Sequence, residues 1–154
     1  MIQTERLRVY AASDDEMKKL IAEETDGEMR TAYQEMLEGC ISHPEQRNWY
    51  TVWFMELKDV SGTRIGDLCF KGLGADGAVE IGYGTYTGFE GKGYMTEAVM
   101  ALVQWASRQP GVLRIEAETD KDNKASQRVL EKSGFVPSGE IGEEGPRFVW
   151  VGKR

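Results

Sequence analysis

The chain has 154 residues, 40% of them hydrophobic and 29% charged, which is typical of a globular protein that can bury a core. Its formal net charge of −7 argues against a nucleic-acid ligand, because binding to phosphates depends on lysine and arginine. No apolar run reaches the roughly 18 residues that a membrane helix needs, and the N-terminus shows no apolar secretion signal, so we expect a cytoplasmic protein without membrane contact.

The first half of the chain predicts antiparallel strands with helices inserted early. Residues 5–10 alternate polar and apolar as a half-buried strand does, and Ser13 with Glu16 forms a capping box that starts a helix. A second helix is expected to end near Pro44. Three strand-forming segments follow, at 50–57, 65–71 and 79–85. Turns at Lys58–Gly62 and Gly72–Gly77 separate them.

In the second half the apolar period changes. The apolar residues from Met95 to Ala106 recur at helical spacing, and Pro110 ends that helix. A strand at 113–119 comes next, so the strands at 79–85 and 113–119 flank a helix and should be parallel. The last predicted elements are a helix at Lys124–Ser133 and two short strands at 135–137 and 147–151.

This element order predicts an α+β fold, with a mostly antiparallel sheet of six to seven strands, one parallel pair and flanking helices. No repeat, low-complexity tract or linker divides the chain, so we expect one domain over residues 1–154. The single histidine, His43, and the separated cysteines Cys40 and Cys69 offer no set of metal ligands, and we expect no metal site.

The residues with the clearest chemical meaning lie between a predicted strand and a predicted helix, at Glu90–Thr96. The glycines there allow positive φ and a close approach of the backbone to a ligand. The first amides of the helix lack internal partners, and the helix dipole adds positive charge. The segment Gly91–Thr96 therefore predicts a seat for a pyrophosphate.

Other phosphate-binding motifs do not fit. A P-loop around Gly91 and Lys92 would need a glycine at Tyr86. The chain contains one Gly-x-Gly-x-x-Gly motif at Gly72–Gly77, but it falls in a predicted hairpin turn with no helix after it. We interpret it as a plain turn, which disfavours a nicotinamide-dependent oxidoreductase.

Four segments together resemble the GNAT superfamily of N-acetyltransferases, specifically the branch of Rim-type ribosomal-protein N-terminal acetyltransferases. They are Thr4–Leu7, Glu80–Tyr83, Gly91–Ala98 and the stretch from Asn123 to Phe135. The resemblance covers almost the whole chain. It implies a splayed sheet whose fourth and fifth strands part to admit acetyl-CoA, with a primary amine or a peptide N-terminus as acceptor; homodimers are common in the family.

The resemblance also implies cofactor-binding residues. The backbone of Tyr83, Gly84 and Thr85 would pair with the pantetheine arm, and Asn123 would contact the cofactor near its thiol. The pyrophosphate would bind to six consecutive residues: Gly91, Lys92, Gly93, Tyr94, Met95 and Thr96. 

Three positions depart from the family pattern. Glu90 stands where the family usually has Arg or Gln, Met95 where many members have Gly or Ala, and Gly84 where this branch often has Trp. We expect Glu90 to point to solvent and the missing ring at Gly84 to widen the acceptor site.

Transfer to an amine needs a base, because an alkyl ammonium has a pKa of about 10. We expect the amine to attack the thioester directly in a ternary complex. Glu80, beside the expected cleft, is the first candidate for the base, and Glu116 and Glu118 are alternatives. Residues 138–150 contain no tyrosine, although the family's usual acid is a tyrosine near the last strands. Ser126 is therefore expected to donate to the departing sulfur, with capping of the helix after Asn123 as its structural alternative.

A second functional class stays open at this point. A non-catalytic acyl-CoA-binding or regulatory module on the same fold is compatible with Glu90 and with the missing tyrosine.

Overall fold

A computed structural model describes residues 1–59 and 62–152. These residues form eight strands: β1 Ile2–Gln3, β2 Leu7–Ala11, β3 Val52–Leu57, β4 Arg64–Leu73, β5 Ala78–Thr85, β6 Arg114–Glu118, β7 Phe135–Ile141 and β8 Pro146–Trp150. The helices are α1 Asp14–Glu23, α2 Gly27–Ser42, α3 Tyr94–Ser107 and α4 Lys124–Lys132, with a 3₁₀ segment at Pro44–Trp49. Across the two described ranges, no helix has the length and apolar character to cross a membrane.

All strands belong to one sheet in the order β1-β2-β3-β4-β5-β6-β8-β7, and only β5 and β6 are parallel. The mixed fold and its single parallel pair are therefore confirmed. The prediction of six to seven strands was too low, because Ile2–Gln3 pairs with β2 and is too short to leave a periodic pattern. Gly72–Gly77 is the β4–β5 turn with no helix after it, as predicted, whereas Val60 and Ser61 of the turn predicted at 58–62 lie outside the described residues.

Each face of the sheet is covered by a different pair of helices. The apolar residues of α3 that recur at helical spacing are all buried against one face, which forms the main core: Met95, Ala98, Val99, Leu102, Val103 and Ala106. On the other face, α1 and α2 cover β2 and β3 in a second cluster around Met17, Tyr33 and Phe54. The predicted capping box starts α1, with Ser13 and Glu16 exchanging two hydrogen bonds of 3.1 Å.

The parallel pair holds together over only four residues. Its register runs from Ala78 opposite Arg114 to Ile81 opposite Ala117. Beyond that point β5 continues to Thr85 paired with β4, while β6 remains paired with β8. The two strands therefore part, as expected from the family resemblance, and the segment 82–85 has one free edge.

Candidate cofactor and active site

A cavity of about 630 Å³ lies where β5 and β6 part, between the free edge of β5 and the first turns of α3 and α4. Nine of the predicted site residues line it: Tyr83, Gly84, Thr85, Gly91, Gly93, Met95, Thr96, Asn123 and Ser126. Among the residues that the structure describes, no group of histidine, cysteine, aspartate and glutamate side chains is arranged to hold a metal ion.

The first turn of α3 offers unpaired backbone donors to this cavity. Gly91 and Gly93 have φ of +76° and +80°, a region that side-chain-bearing residues rarely adopt. Gly93 is the N-cap and provides no side-chain hydrogen bond, and the helical ladder begins only where the amide of Glu97 donates to Gly93 O at 3.1 Å. The amides of residues 94–96 are thus without helical partners, at the positive end of the helix dipole.

Lys92 and Tyr94 lie beside the cavity and contact Arg6 instead. The guanidinium of Arg6 donates to Lys92 O at 3.0 Å and lies 4.4 Å from the centre of the Tyr94 ring. Arg6 also donates to both oxygens of Glu97, from Nε at 2.8 Å and from its backbone amide at 2.9 Å, and Thr4 bonds to the same carboxylate. Two separate sequence motifs, Thr4–Leu7 and Gly91–Ala98, are therefore one physical unit.

These bonds perturb the carboxylate of Glu97. Burial by itself would raise its pKa, but the hydrogen bonds from Thr4 and from the Arg6 backbone and side chain outweigh burial and leave the pKa below its usual range. Glu97 is therefore ionised at neutral pH and holds the N-terminal segment against the glycine turn.

The free edge of β5 presents alternate backbone groups to the cavity. The amide of Tyr86 donates to Ile65 O at 2.9 Å, and in an antiparallel ladder every second residue bonds to the partner strand. Gly84 therefore bonds towards β4, whereas the amides and carbonyls of Tyr83 and Thr85 point to the parted side. Of the three residues predicted to pair with pantetheine, these two have the backbone orientation to do so.

Asn123 and Ser126 meet at the start of α4. The amide of Ser126 donates to Asn123 Oδ1 at 3.0 Å, so Asn123 is the N-cap of α4. This is the helix capping that the sequence analysis gave as the alternative role. The Ser126 hydroxyl is not used by this cap; it lies 2.9 Å from the hydroxyl of Tyr83, which also donates to the Ser126 carbonyl oxygen at 3.1 Å. Burial raises the pKa of Tyr83 to about 12, with a smaller opposing effect of the bond to Ser126, so the phenol is a neutral donor at physiological pH. The sequence analysis used only the backbone of Tyr83 and missed this hydroxyl.

Three basic side chains of α4 also line the cavity, and the sequence analysis missed them as well. Lys124, Arg128 and Lys132 recur every four residues, a spacing that places them on one helix face and that could have identified them. Within the described ranges none of the three forms an ion pair, so their charge is available to an anion. Glu90 is exposed, as expected, but it also lines the cavity, and it accepts a hydrogen bond of 3.0 Å from the amide of Gly88.

The three carboxylates considered as bases lie on the opposite face of the sheet and share one guanidinium. Arg147 on β8 contacts Glu80 at 3.0 Å, Glu116 at 3.6 Å and Glu118 at 2.6 Å. The second oxygen of Glu80 is 2.7 Å from Lys71. The acidic patch that the sequence suggested around Glu80 is therefore filled by cations of the protein itself.

Comparison with known proteins agrees with this geometry. The family profile described as an acetyltransferase (GNAT) domain matches residues 3–136. An uncharacterized N-acetyltransferase of Bacillus subtilis, YjdG, is 43% identical over 61 residues, which are 40% of this chain and 36% of that protein. The aligned region thus spans little more than a third of that relative.

Two solved structures share the architecture. Ribosomal-protein-S5-alanine acetyltransferase from Vibrio fischeri is 18% identical with a TM-score of 0.73, covering 96% of this chain and 92% of that chain. RimL, a ribosomal L7/L12 alpha-N-protein acetyltransferase in complex with coenzyme A, is 19% identical with a TM-score of 0.71, covering 96% and 93%. At these identities the likeness concerns the fold. Since the family profile covers most of the sequence, the chain belongs to the GNAT acetyltransferase family.

Proposed function

We propose that this protein is an acetyl-CoA-dependent N-acetyltransferase that transfers the acetyl group to a primary amine of a small molecule or a peptide N-terminus. The observation that carries the proposal is the cavity between the parted strands, which is bordered by unpaired helix amides and by the Tyr83–Ser126 hydroxyl pair. We further propose that residues 1–154 form one domain. The cytoplasmic location, the lack of nucleic-acid or membrane partners and the homodimer stay predictions from the sequence.

The chemistry of the lining suits coenzyme A. Unpaired amides at Tyr94, Met95 and Thr96 can bind a pyrophosphate, and Lys124, Arg128 and Lys132 supply positive charge that Glu90 does not. The backbone of Tyr83 and Thr85 can pair with the amide-rich pantetheine arm. Asn123 contributes by holding the start of α4, and with it Ser126, beside the cavity.

Acetyl transfer in a ternary complex then needs this chain to fill three roles: stabilising the oxyanion, donating to the sulfur and accepting a proton. A bound thioester supplies the electrophilic carbon; the amine nitrogen bonds to it and the carbon–sulfur bond breaks. In this proposal a backbone amide near Tyr83 stabilises the oxyanion, and the Ser126–Tyr83 hydroxyl pair donates to the departing sulfur. A base must take the ammonium proton. Glu80 remains the sequence-based candidate for it, although Lys71 and Arg147 occupy both of its oxygens.

The direct test is thiol release from acetyl-CoA with a panel of n-butylamine, putrescine, and peptides beginning with alanine or serine, with the acetylated product identified by mass spectrometry. Release that depends on one of these acceptors supports the proposal. Binding of coenzyme A without release on any acceptor favours the alternative of a non-catalytic binding module. Failure to bind coenzyme A at all contradicts both.

A further inference from the structure

On β4, a second carboxylate lies beside the parted strands. Asp67 pairs in register with Gly84, so its side chain lies on the sheet face away from α3, about 4.5–5.5 Å from the position that a side chain on Gly84 would take. A methyl group placed on Gly84 would have no heavy atom within 4 Å. Open space therefore borders Asp67, and Gly84 itself also lines the cofactor cavity on the other side of the strand.

Two tyrosines hold this carboxylate from elements distant in sequence. The hydroxyl of Tyr86, in the loop after β5, donates to Asp67 Oδ2 at 3.1 Å, and that of Tyr33 on α2 donates to the same oxygen at 3.4 Å. Within the described part of the chain, Oδ1 accepts no side-chain hydrogen bond. The two tyrosines thus hold one oxygen of the carboxylate with neutral donors and leave the other without a side-chain donor.

Asp67 also differs from its neighbours in having no counter-charge. Glu80, Glu116 and Glu118 on the same sheet face are all paired with Arg147, whereas in the described ranges no lysine, arginine or histidine nitrogen lies within 4.0 Å of Asp67. Its other ionisable neighbours are Cys69 on its own strand and Glu24 after α1. A partly buried carboxylate without a counter-charge is costly, and a cationic ligand would offset that cost.

Burial raises the pKa of Asp67, the bonds from Tyr86 and Tyr33 lower it, and repulsion by Glu24 raises it further; the net change is upward. The pKa values of both tyrosines are also raised, mainly by burial, so they remain neutral donors. The environment therefore brings the carboxylate closer in basicity to an amine.

We propose that Asp67, oriented by Tyr33 and Tyr86, binds the ammonium group of the acceptor and takes its proton, in place of Glu80. The inference rests on the proposed acetyltransferase function. One N–H bond of the ammonium breaks and its proton moves to Oδ1, which leaves a lone pair on nitrogen. That pair forms the bond to the thioester carbon as the carbon–sulfur bond breaks. The nitrogen loses its second proton to the departing thiolate, which becomes the free thiol of coenzyme A, and Asp67 then releases the first proton to water.

The test compares Asp67→Asn with Glu80→Gln, using n-butylamine or whichever panel amine the wild type acetylates. We expect Asp67→Asn to lower kcat/KM for the amine by about 100-fold or more, the usual contribution of a positioned base, and Glu80→Gln by less than about 5-fold. The affinity for coenzyme A, measured by calorimetry, should stay within about twofold of wild type in both variants, because neither side chain lines the cofactor cavity.

The pH profile separates a base from a structural role. Asp67→Asn can use only the neutral amine, so its kcat/KM should rise about tenfold per pH unit from pH 6.5 to 8.5, whereas the wild type captures the ammonium form and rises less. Tyr33→Phe and Tyr86→Phe each remove one donor and should cause smaller losses.

The assignment would be overturned if the wild type acetylates the amine and Asp67→Asn keeps a kcat/KM within about threefold of the wild-type value, or shows an identical pH profile. The proposed function would still stand in that case. If the wild type acetylates nothing in the panel, the proposed function fails, and the role of Asp67 fails with it.

Discussion

Glu97, in the first turn of α3, holds the backbone and the side chain of Arg6, whose guanidinium in turn donates to Lys92 O in the glycine turn. The N-terminal segment therefore sets the position of the turn that we propose binds the pyrophosphate. The arrangement joins two motifs that lie at opposite ends of the first hundred residues.

Arg6→Gln should weaken coenzyme A binding by about tenfold, because the turn loses the bonds that position its amides, and one charge-assisted hydrogen bond contributes about 1.5–3 kcal/mol. Arg8→Gln is the matched control: Arg8 lies on the adjoining strand and pairs with Glu56 at 3.5 Å, away from the turn. Calorimetric titration with coenzyme A measures both. Equal affinities of the two variants would show that Arg6 does not act through the turn.

Tyr83→Phe should lower kcat by about tenfold and leave KM for acetyl-CoA nearly unchanged, since it removes one neutral donor near the leaving sulfur. Ser126→Ala removes the partner hydroxyl but keeps the helix cap, because Asn123 bonds to the backbone amide of Ser126. If the two hydroxyls act together, the double variant should lose little more than either single variant. Steady-state kinetics that show a change in KM alone would assign the pair to binding.

Asp67 should make the protein less stable as pH rises from acid to neutral. Its folded pKa is raised above the unfolded value of 3.8, so between these two values the native state binds more protons than the unfolded state and stability falls with rising pH. Asp67→Asn removes this dependence. The free energy of unfolding of Asp67→Asn minus that of the wild type should therefore increase from pH 4 to pH 7. Urea denaturation of both proteins at each pH measures this difference. A relative stability that decreases over this range would mean that Asp67 has a stabilising partner.

The local parts of this structure could be predicted and the long-range parts could not. Helix α3 follows from the spacing of Met95 to Ala106, and the cap at Asn123 from the residues that follow it, because both depend on neighbours within a few positions. The pairing of Glu80 with Arg147 joins residues that only the folded sheet brings together. The same holds for Asp67, whose two tyrosine donors come from α2 and from the loop after β5.

The most direct test of the proposed pyrophosphate site compares the affinity of coenzyme A for two variants, Gly91→Asp and Gly139→Asp. Both glycines have positive φ, +76° and +89°, and at both an added Cβ would meet nothing within 4 Å, so the backbone strain is matched. Only Gly91 lines the cavity. We expect Gly91→Asp to weaken binding by at least about tenfold, through repulsion between its carboxylate and the pyrophosphate, and Gly139→Asp to bind as the wild type does. Equal affinities in the two variants would contradict a pyrophosphate site at Gly91–Thr96.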